Sequence, residues 1–145
     1  MSKVEDFLSK EEELEIIEAI RVAEKSTSGE IRVHIEKETS LDSIDRATEV
    51  FNTLKMHETK DSNGVLLYVA VKSKKFAICG DKGINEVVPH DFWETTKNTM
   101  ENHFKNNNFK QGLVDGILKA GQQLKKYFPF DDNDMDELSN EISKG

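Results

Sequence analysis

The chain has few of the residues that mark several common protein classes. It contains one cysteine and two prolines in 145 residues, so no internal disulfide can form and no proline-rich linker divides it. Its apolar runs are far shorter than the roughly 20 residues of a membrane span. The N-terminal segment is acidic and lacks a continuous apolar stretch, which argues against a secretory signal. We therefore expect a cytoplasmic protein with one main domain and no membrane span.

Positive charge is also scarce, and its distribution excludes one class of partner. The formal net charge is −8, of which residues 1–15 contribute −4 and residues 129–145 contribute −5. The remaining body, 16–128, is close to neutral. A nucleic-acid-binding protein carries a basic face, so we expect no nucleic acid. We expect a domain over 1–128, an acidic tail over 129–145 that is a short helix or mobile, a monomer, and an unidentified protein partner.

Several well-known functional motifs are missing. The sequence has no G-x-G-x-x-G, no Walker A loop, no H-E-x-x-H and no G-x-S-x-G, which disfavours the common nucleotide-binding, zinc-protease and serine-hydrolase classes. The tail segment DDNDMDE superficially resembles a calcium loop. Glu137 occupies the position that requires glycine, and Ser143 the position of the bidentate glutamate. We interpret this tail as solvated acidic sequence.

The central stretch of the chain predicts a buried β-hairpin. Residues 65–71 are apolar at every position, and a basic turn, 72–75, separates them from a second apolar run, 76–79. Two short runs divided by a turn are typical of an antiparallel hairpin. A strand without a polar face is typical of a strand covered on both faces. Cys79 lies in the second strand, and we interpret it as a packed core thiol.

The N-terminal half predicts a helix, a strand and a second helix before this hairpin. Ser9 and Glu12 form a capping box for a helix to about residue 25, with an apolar stripe that begins at Leu14. Residues 30–36 alternate, so we expect a strand whose wetter face carries Arg32 and His34, near a sheet edge. A helix over about 44–56 follows. Strand, helix and strand of this length predict a parallel βαβ unit.

The C-terminal half predicts two more helices. Residues 86–89 are a candidate short strand or extended segment, and Asp91 is a candidate N-cap for the third helix. Asn108 and Gln111 form a candidate capping box for a fourth helix to about residue 128. A row of small residues at helical spacing predicts close packing of that helix, most simply against the sheet: Gly112, Gly116 and Ala120. The fold class is α/β, a three-layer α/β/α sandwich with a small mixed sheet flanked by helices.

Two acidic, glycine-bearing loops bracket the hairpin and predict a metal site. In an antiparallel pair the start of one strand lies beside the end of the next, so loops 61–64 and 80–83 should be neighbours. Asp61, Asn63 and Asp81 would bring hard oxygen ligands together, with Glu30 or Asp91 completing the set. Such ligands suit Ca²⁺ or Mg²⁺. The alternative is that Asp, Asn and Gly are present only because turns require them.

The histidines offer weaker candidates. His34, His90 and His103 are scattered along the chain, and we interpret them as surface or capping residues. His57 stands close to Glu58 and Asp61, which allows a ligand role. A polar helix end explains His57 equally well.

Four segments together resemble the TPM-domain family, which includes thylakoid-lumen acid-phosphatase-like proteins and many bacterial proteins. The resemblance covers about residues 10–128, and its most specific block is 63–85. The matching segments are Thr27-Ser28-Gly29-Glu30-Ile31, Asn63-Gly64-Val65-Leu66-Leu67, Gly80-Asp81-Lys82-Gly83-Ile84, and Phe109 through Gly112-Leu113 and Gly116. The fold implied by the resemblance, a mixed sheet between helices, agrees with the pattern of elements.

The resemblance also implies a function. It implies a divalent-metal site, calcium in some relatives, at loops near the sheet end, with Asp61 and the loop 80–83 at matching positions. The leading hypothesis is a soluble binding or assembly module that holds Ca²⁺ at these loops. One alternative is a metal-dependent acid phosphatase acting on small phosphomonoesters, for which no nucleophile or general acid can be assigned. Another is an interaction protein without a metal.

Overall fold

The structure, a computed structural model, describes residues 8–130 and 142–145. These residues form five helices and four strands. In chain order they are α1 Lys10–Glu24, β1 Glu30–Glu36, α2 Ser43–Thr53, β2 Gly64–Ala70, β3 Lys75–Gly80, α3 Lys82–Asn85, α4 Glu94–Lys105, α5 Phe109–Lys125 and β4 Ser143–Lys144.

The four strands form one mixed sheet in the order β3-β2-β1-β4. Strand β1 pairs in parallel with β2, from Glu30 opposite Gly64 to Glu36 opposite Ala70. Strand β3 pairs antiparallel with β2, so the structure contains both the predicted hairpin and the predicted parallel βαβ unit. The two residues of β4 run parallel to β1, with Ser143 opposite His34.

Helices cover both faces of the sheet, as the sequence predicts. Helices α1, α4 and α5 pack with Ile31, Val65 and the other residues that face the same way. Of the described helices, α2 is the one that packs on the opposite face, against Leu66 and Tyr68. All seven residues of β2 are buried, because this strand is central and has apolar neighbours on both faces.

The prediction that β1 has a wetter, solvent-facing side is wrong. His34 and Glu36 are only 6% and 5% exposed, and Arg32 is half-buried. Helix α2 and strand β4 cover this face with polar partners, Arg46 and Ser143, which hydrogen-bond to Glu36 and His34. Polar side chains are tolerated in such a place because they satisfy one another. Strand β1 does lie beside the short edge strand β4.

The helix ends agree with the sequence in part. Ser9 and Glu12 form the predicted capping box of α1, with Ser9 Oγ accepting from the Glu12 amide at 3.1 Å. Leu14 at the start of that stripe is nevertheless 61% exposed. Helix α4 begins at Glu94 with Trp93 at its N-cap position. The predicted N-cap at Asp91 is therefore wrong, because a turn from residue 89 to 93 delays the helix.

Helix α5 differs from its prediction at both ends. Asn108 occupies the N-cap position but makes no side-chain capping bond. Gln111 donates its amide to Asp115 instead, at 2.8 Å, so the predicted capping box is wrong. The helix ends at Lys125, three residues early, because Pro129 forms a β-bridge with Thr27. Residues 86–89 form a turn, not a strand.

The small-residue row on α5 packs chiefly against helix α4. A Cβ added to Gly112 would lie 2.5 Å from a ring carbon of Phe104, and one added to Gly116 would lie 2.6 Å from Met100 Cγ. Gly116 also approaches the sheet, at Leu67. The prediction that the row packs against the sheet is therefore wrong for Gly112, whereas Gly116 meets both α4 and the sheet. The calcium-loop-like segment and the predicted tail helix lie mostly in 131–141, outside the described residues.

Candidate cation site at one end of the sheet

The two acidic loops lie side by side, as the hairpin geometry predicts. The Asp81 amide donates to the Gly64 carbonyl at 2.9 Å. The Asp61 and Ser62 carbonyls press on Gly83, where a Cβ would lie 2.4 Å and 2.5 Å from their oxygens. Only glycine permits this approach, since a Cβ would overlap backbone atoms. Gly80 ends β3, and Lys82 and Gly83 begin α3, so the predicted loop 80–83 is a strand end followed by a helix start. Its backbone is in direct contact with that of loop 61–64.

Asp81 combines a structural role with an unused acceptor. Its extended backbone ends the ladder with β2, and its Oδ1 accepts from the Lys82 amide at 2.7 Å, which caps the short helix α3. Its Oδ2 is buried and has no hydrogen-bond partner among the described residues. A buried carboxylate oxygen without a partner costs about 1 to 3 kcal/mol or more. A bound cation is one group that would compensate for this cost.

Glu30 approaches the same place from the neighbouring strand. Glu30 is opposite Gly64 in the β1–β2 register, and Asp81 follows the β3 residue that pairs with Val65. Because side chains alternate along a strand, Glu30 and Asp81 project from the same face of the sheet, on either side of Gly64. Their backbones are two strand spacings apart, about 10 Å. Gly64 places no side chain between them, and Glu30 is only 5% exposed.

Asn63 fixes the first loop to the start of β1. It is 1% exposed, and its side-chain amide donates to the Ser28 carbonyl at 3.3 Å. The backbone carbonyl of Asn63 accepts from the Glu30 amide at 3.2 Å, and its backbone amide donates to Thr59 Oγ1 at 3.3 Å. These hydrogen bonds fix the orientation of loop 61–64. The role of Asn63 as a cation ligand stays a prediction.

The remaining predicted ligands are placed less closely. Asp61 is exposed, and it reaches the contact with Gly83 through its backbone carbonyl. Asp91 is exposed in the turn before α4. His57 is also exposed, 4.0 Å from the Glu58 carboxylate. Across residues 8–130 and 142–145, no three or more His, Cys, Asp or Glu side chains form a group that could hold a metal ion.

The donor set at this end of the sheet therefore consists of dispersed oxygens. Ca²⁺ takes six to eight oxygen ligands and accepts backbone carbonyls and waters among them. Asp81 and Glu30 would supply carboxylates, and the loop carbonyls and water would supply the rest. Nitrogen and sulfur ligands are not part of this set, so it does not suit zinc.

A second polar cluster lies further along the same face, and the sequence reasoning missed it. Glu36 accepts two hydrogen bonds from the Arg46 guanidinium, each 2.9 Å long, and one from the Tyr68 hydroxyl. His34 Nε2 lies 3.2 Å from the same carboxylate, and its Nδ1 lies 2.9 Å from Ser143 Oγ. The interpretation of His34 as a surface or capping residue is therefore wrong. The cluster joins β1, β2, α2 and β4.

The electrostatics of this cluster follow from burial and pairing. Burial by itself raises the pKa of Glu36, but hydrogen bonds from Arg46, Tyr68 and His34 outweigh it and lower the pKa to about 2. Burial and the Glu36 charge both raise the pKa of Tyr68. Burial lowers the pKa of His34, against the opposing effect of Glu36. The carboxylate is thus ionised and the imidazole neutral near pH 7.

The sequence carried one faint signal for this cluster. Tyr68 stands alone as a hydroxyl-bearing residue within an otherwise aliphatic strand, and a buried tyrosine hydroxyl usually finds a partner. Its partner, Glu36, is 32 residues away in the chain. Nothing in the local pattern at Glu36 distinguishes it from an exposed strand end.

The fold and the loop geometry define a three-layer α/β/α domain with an acidic loop pair at one end of its sheet. The model of the TPM domain matches residues 1–123, and the chain belongs to the TPM-domain family. It is 63% identical to the BA42 protein of the psychrophilic bacterium Bizionia argentinensis, over 100% of both chains. The NMR structure of that protein superposes with a TM-score of 0.93.

Two more distant solved structures show the same fold. The N-terminal domain of a P. gingivalis protein is 21% identical, with a TM-score of 0.68, over 84% of this chain and 79% of that one. The N-terminal domain of a Corynebacterium glutamicum protein is 10% identical, with a TM-score of 0.63, over 95% and 80%. No curated protein sequence matches the chain. None of the helices in the described residues combines the length and apolar character needed to cross a membrane.

Proposed function

We propose that this TPM domain is a divalent-cation-binding module, with Ca²⁺ held at loops 61–64 and 80–83. The buried Asp81 Oδ2, which has no hydrogen-bond partner within residues 8–130 and 142–145, carries the proposal. A bound cation would offset its desolvation, and Glu30 on the far side of Gly64 would supply a second carboxylate. The Asp61 and Ser62 carbonyls, which press against Gly83, are candidate backbone ligands. Mg²⁺ is the alternative ion, although its stricter octahedral geometry fits dispersed oxygens less well.

Thermal unfolding with and without calcium tests this proposal. A ligand that binds only the folded state stabilises it, by about 2.7 kcal/mol at 100 times its Kd. For a domain of this size we expect Tm to rise by about 8 °C. The protein is first treated with a chelator, and ionic strength is held constant with a monovalent salt. A wild-type protein whose Tm does not respond to calcium contradicts the proposal and favours the metal-free interaction protein.

Asp81→Asn is the decisive variant. Asparagine keeps an oxygen that can cap α3 at the Lys82 amide, but it removes the charge, so we expect the calcium-induced rise in Tm to disappear. Asp45→Asn is the matched control, because Asp45 is an exposed acid on α2 and the change in charge is the same. Asp61→Asn tests whether that residue binds through its carboxylate. If Asp45→Asn and Asp81→Asn reduce the calcium-induced rise in Tm equally, calcium only screens the acidic chain.

Backbone amide NMR locates the ion independently of stability. We expect the signals of Gly64, Asp81, Lys82 and Gly83 to shift together and saturate during a calcium titration. Shifts confined to residues 131–136, without saturation, would assign the effect to the acidic tail. The protein partner and the cytoplasmic location expected from the sequence stay predictions.

The phosphatase hypothesis has a separate test. Cys79 is a poor candidate nucleophile, because burial raises the pKa of its thiol. A metal held near Asp81 would be able to polarise a phosphoryl oxygen. If the hypothesis is correct, hydrolysis of a chromogenic phosphate ester survives purification and is lost in both Asp61→Asn and Asp81→Asn. Turnover that is indifferent to both changes would belong to a contaminant.

A further inference from the structure

A concave groove lies at the end of the sheet opposite the acidic loops. It encloses about 700 Å³, within the size range of small-molecule sites. The end of β2, the hairpin turn, the start of β3, the end of α4 and the start of α5 all contribute to its wall. No residue of the candidate cation site lines it. Any ligand of this groove would therefore act at a second, separate place on the molecule.

Three phenylalanine rings form the apolar part of the groove. The rings of Phe76 and Phe104 meet edge to face at 5.2 Å, and those of Phe104 and Phe109 stack at 5.1 Å. All three residues are only half-buried, although they belong to the main core cluster of the sheet. Their remaining ring surface faces water, so an apolar group that covers it gains free energy.

The rim of the groove reverses the charge of the protein. Four lysines and one glutamate line it, on a chain whose net charge is −8. Lys105 pairs with that glutamate, Glu101, at 3.2 Å, and Lys75 donates to the Leu41 carbonyl at 2.9 Å. The other two, Lys72 and Lys74, are exposed and make no ion pair within the described part of the chain. Two ammonium groups thus stand free at the hairpin turn.

The backbone of the groove is constrained at two of its residues. Lys74 has φ 53° and Asn107 has φ 61°, a left-handed conformation that costs a non-glycine residue roughly 1 kcal/mol. Both line the groove. Hydrogen bonds from the Lys74 amide to Val71 and from the Asn107 amide to Phe104 hold the two turns. The backbone of these two turns is therefore fixed before any ligand binds.

We propose that this groove binds an amphipathic organic anion, a carboxylate on an unbranched alkyl chain of medium length. The carboxylate binds between Lys72 and Lys74, and the chain covers the rings of Phe76, Phe104 and Phe109. The local excess of positive charge selects an anion, and the aromatic wall selects a ligand with an apolar body. Neither the positive charge nor the aromatic wall alone would select an amphipathic anion, since an inorganic anion would leave the rings exposed to water.

A ligand series followed by amide NMR tests the proposal. Hexanoate, octanoate and decanoate are titrated below their micelle-forming concentrations. We expect saturating shifts at Lys74, Phe76, Lys105 and Asn107, and each buried methylene should tighten binding about fourfold. Decyltrimethylammonium, with the same chain and the opposite charge, should bind much more weakly. Absence of saturation, or equal binding of the cationic amphiphile, would overturn the proposal.

Charge reversal separates the groove from general electrostatics. Lys72→Glu with Lys74→Glu should weaken decanoate binding about tenfold. Each change removes an exposed ammonium that would pair with the ligand carboxylate, and it adds a negative charge that repels it. The matched control is Lys10→Glu with Lys97→Glu, two exposed lysines outside the groove. Equal weakening in both double variants would show that only net charge matters. Saturable binding of an acidic peptide in preference to decanoate would also overturn the assignment and make the groove a peptide site.

Discussion

Glu36 shows how a single residue links this fold to pH. Its carboxylate is 5% exposed and is held by Arg46 and Tyr68. The folded protein lowers its pKa from 4.5 to about 2. As pH falls, the unfolded chain takes up this proton first, so stability is present above about pH 4.5 and is lost towards pH 2. The pKa shift corresponds to about 3 kcal/mol.

Glu36→Gln therefore changes how stability depends on pH. We expect the free energy of unfolding of wild type to exceed that of the variant most at pH 7, because the ionised carboxylate then pairs with Arg46. The difference in free energy of unfolding should narrow by about 2 kcal/mol as pH falls to 3. Urea denaturation across this range measures it. Glu38→Gln, an exposed acid on the same segment, is the control, and a wild-type advantage that is constant with pH would refute the account.

His34 acts in the same direction as Glu36 on acidification. Burial lowers the pKa of His34 in the folded protein below 6.5. At pH values between the folded pKa and 6.5, the unfolded chain therefore binds more protons than the folded protein. Stability is lost as pH falls through this window. Neighbouring residues in one polar cluster thus make the protein acid-sensitive. Their effects are coupled, because His34 Nε2 lies 3.2 Å from Glu36.

At the scale of elements, the end of α2 contains a removable strain. The Lys55 amide bonds to Asn52 and the Met56 amide bonds to Phe51, which is the Schellman pattern of a helix end. This pattern needs a left-handed residue after the cap, and Lys55 adopts it with φ 57°. Met56 is fully buried and belongs to the same cluster as Phe51. The packing of Met56 holds Lys55 in a conformation that glycine adopts more easily.

Lys55→Gly should therefore stabilise the protein. We expect the free energy of unfolding to rise by about 0.5 to 1 kcal/mol, since the steric cost of the left-handed backbone exceeds the entropic cost of glycine. Lys25→Gly is the matched control, because Lys25 ends α1 with right-handed φ −78° and should gain nothing. Chemical denaturation measures both. Destabilisation by Lys55→Gly as large as that by Lys25→Gly would contradict the assignment of strain.

At the scale of the whole molecule, residues 142–145 extend the sheet beside β1. The Gly145 amide donates to the Ile35 carbonyl at 2.9 Å, and Lys144 forms an ion pair with Glu13 on α1. Ser143 lies 2.9 Å from His34 Nδ1. These contacts cover part of the outer edge of β1, which otherwise offers unpaired backbone groups to another chain.

Deleting residues 142–145 should change both stability and titration. We expect Tm to fall and the pKa of His34 to rise towards 6.5, because the deletion exposes the imidazole to water. Proton NMR of the histidine ring across pH measures the second effect. Ser143→Ala removes one hydrogen bond but keeps the strand, so it should move the pKa less. A His34 pKa that the deletion leaves unchanged would show that β4 does not bury this residue.

Much of the architecture follows from local sequence patterns. The capping box at Ser9, the uninterrupted apolar run of β2 and the basic hairpin turn each involve residues within a few positions of one another. Periodicity and turn chemistry act over that range, so they predicted α1, α2, α4 and α5, the hairpin and the contact of the two acidic segments, but not the short helix α3. The membership of the TPM-domain family was likewise readable from short segments.

The tertiary structure decided which polar residues are buried and what they contact. Arg46 and Tyr68 are 10 and 32 residues from Glu36, and Ser143 is 109 residues from His34. The alternation of β1 specified two faces, but it could not show that α2 and β4 would bring partners to the polar one. Likewise, α5 has glycines at helical spacing, but only the placement of α4 determines which side chains they meet. Local chemistry selects elements, whereas burial depends on which elements meet once the register of the sheet is set.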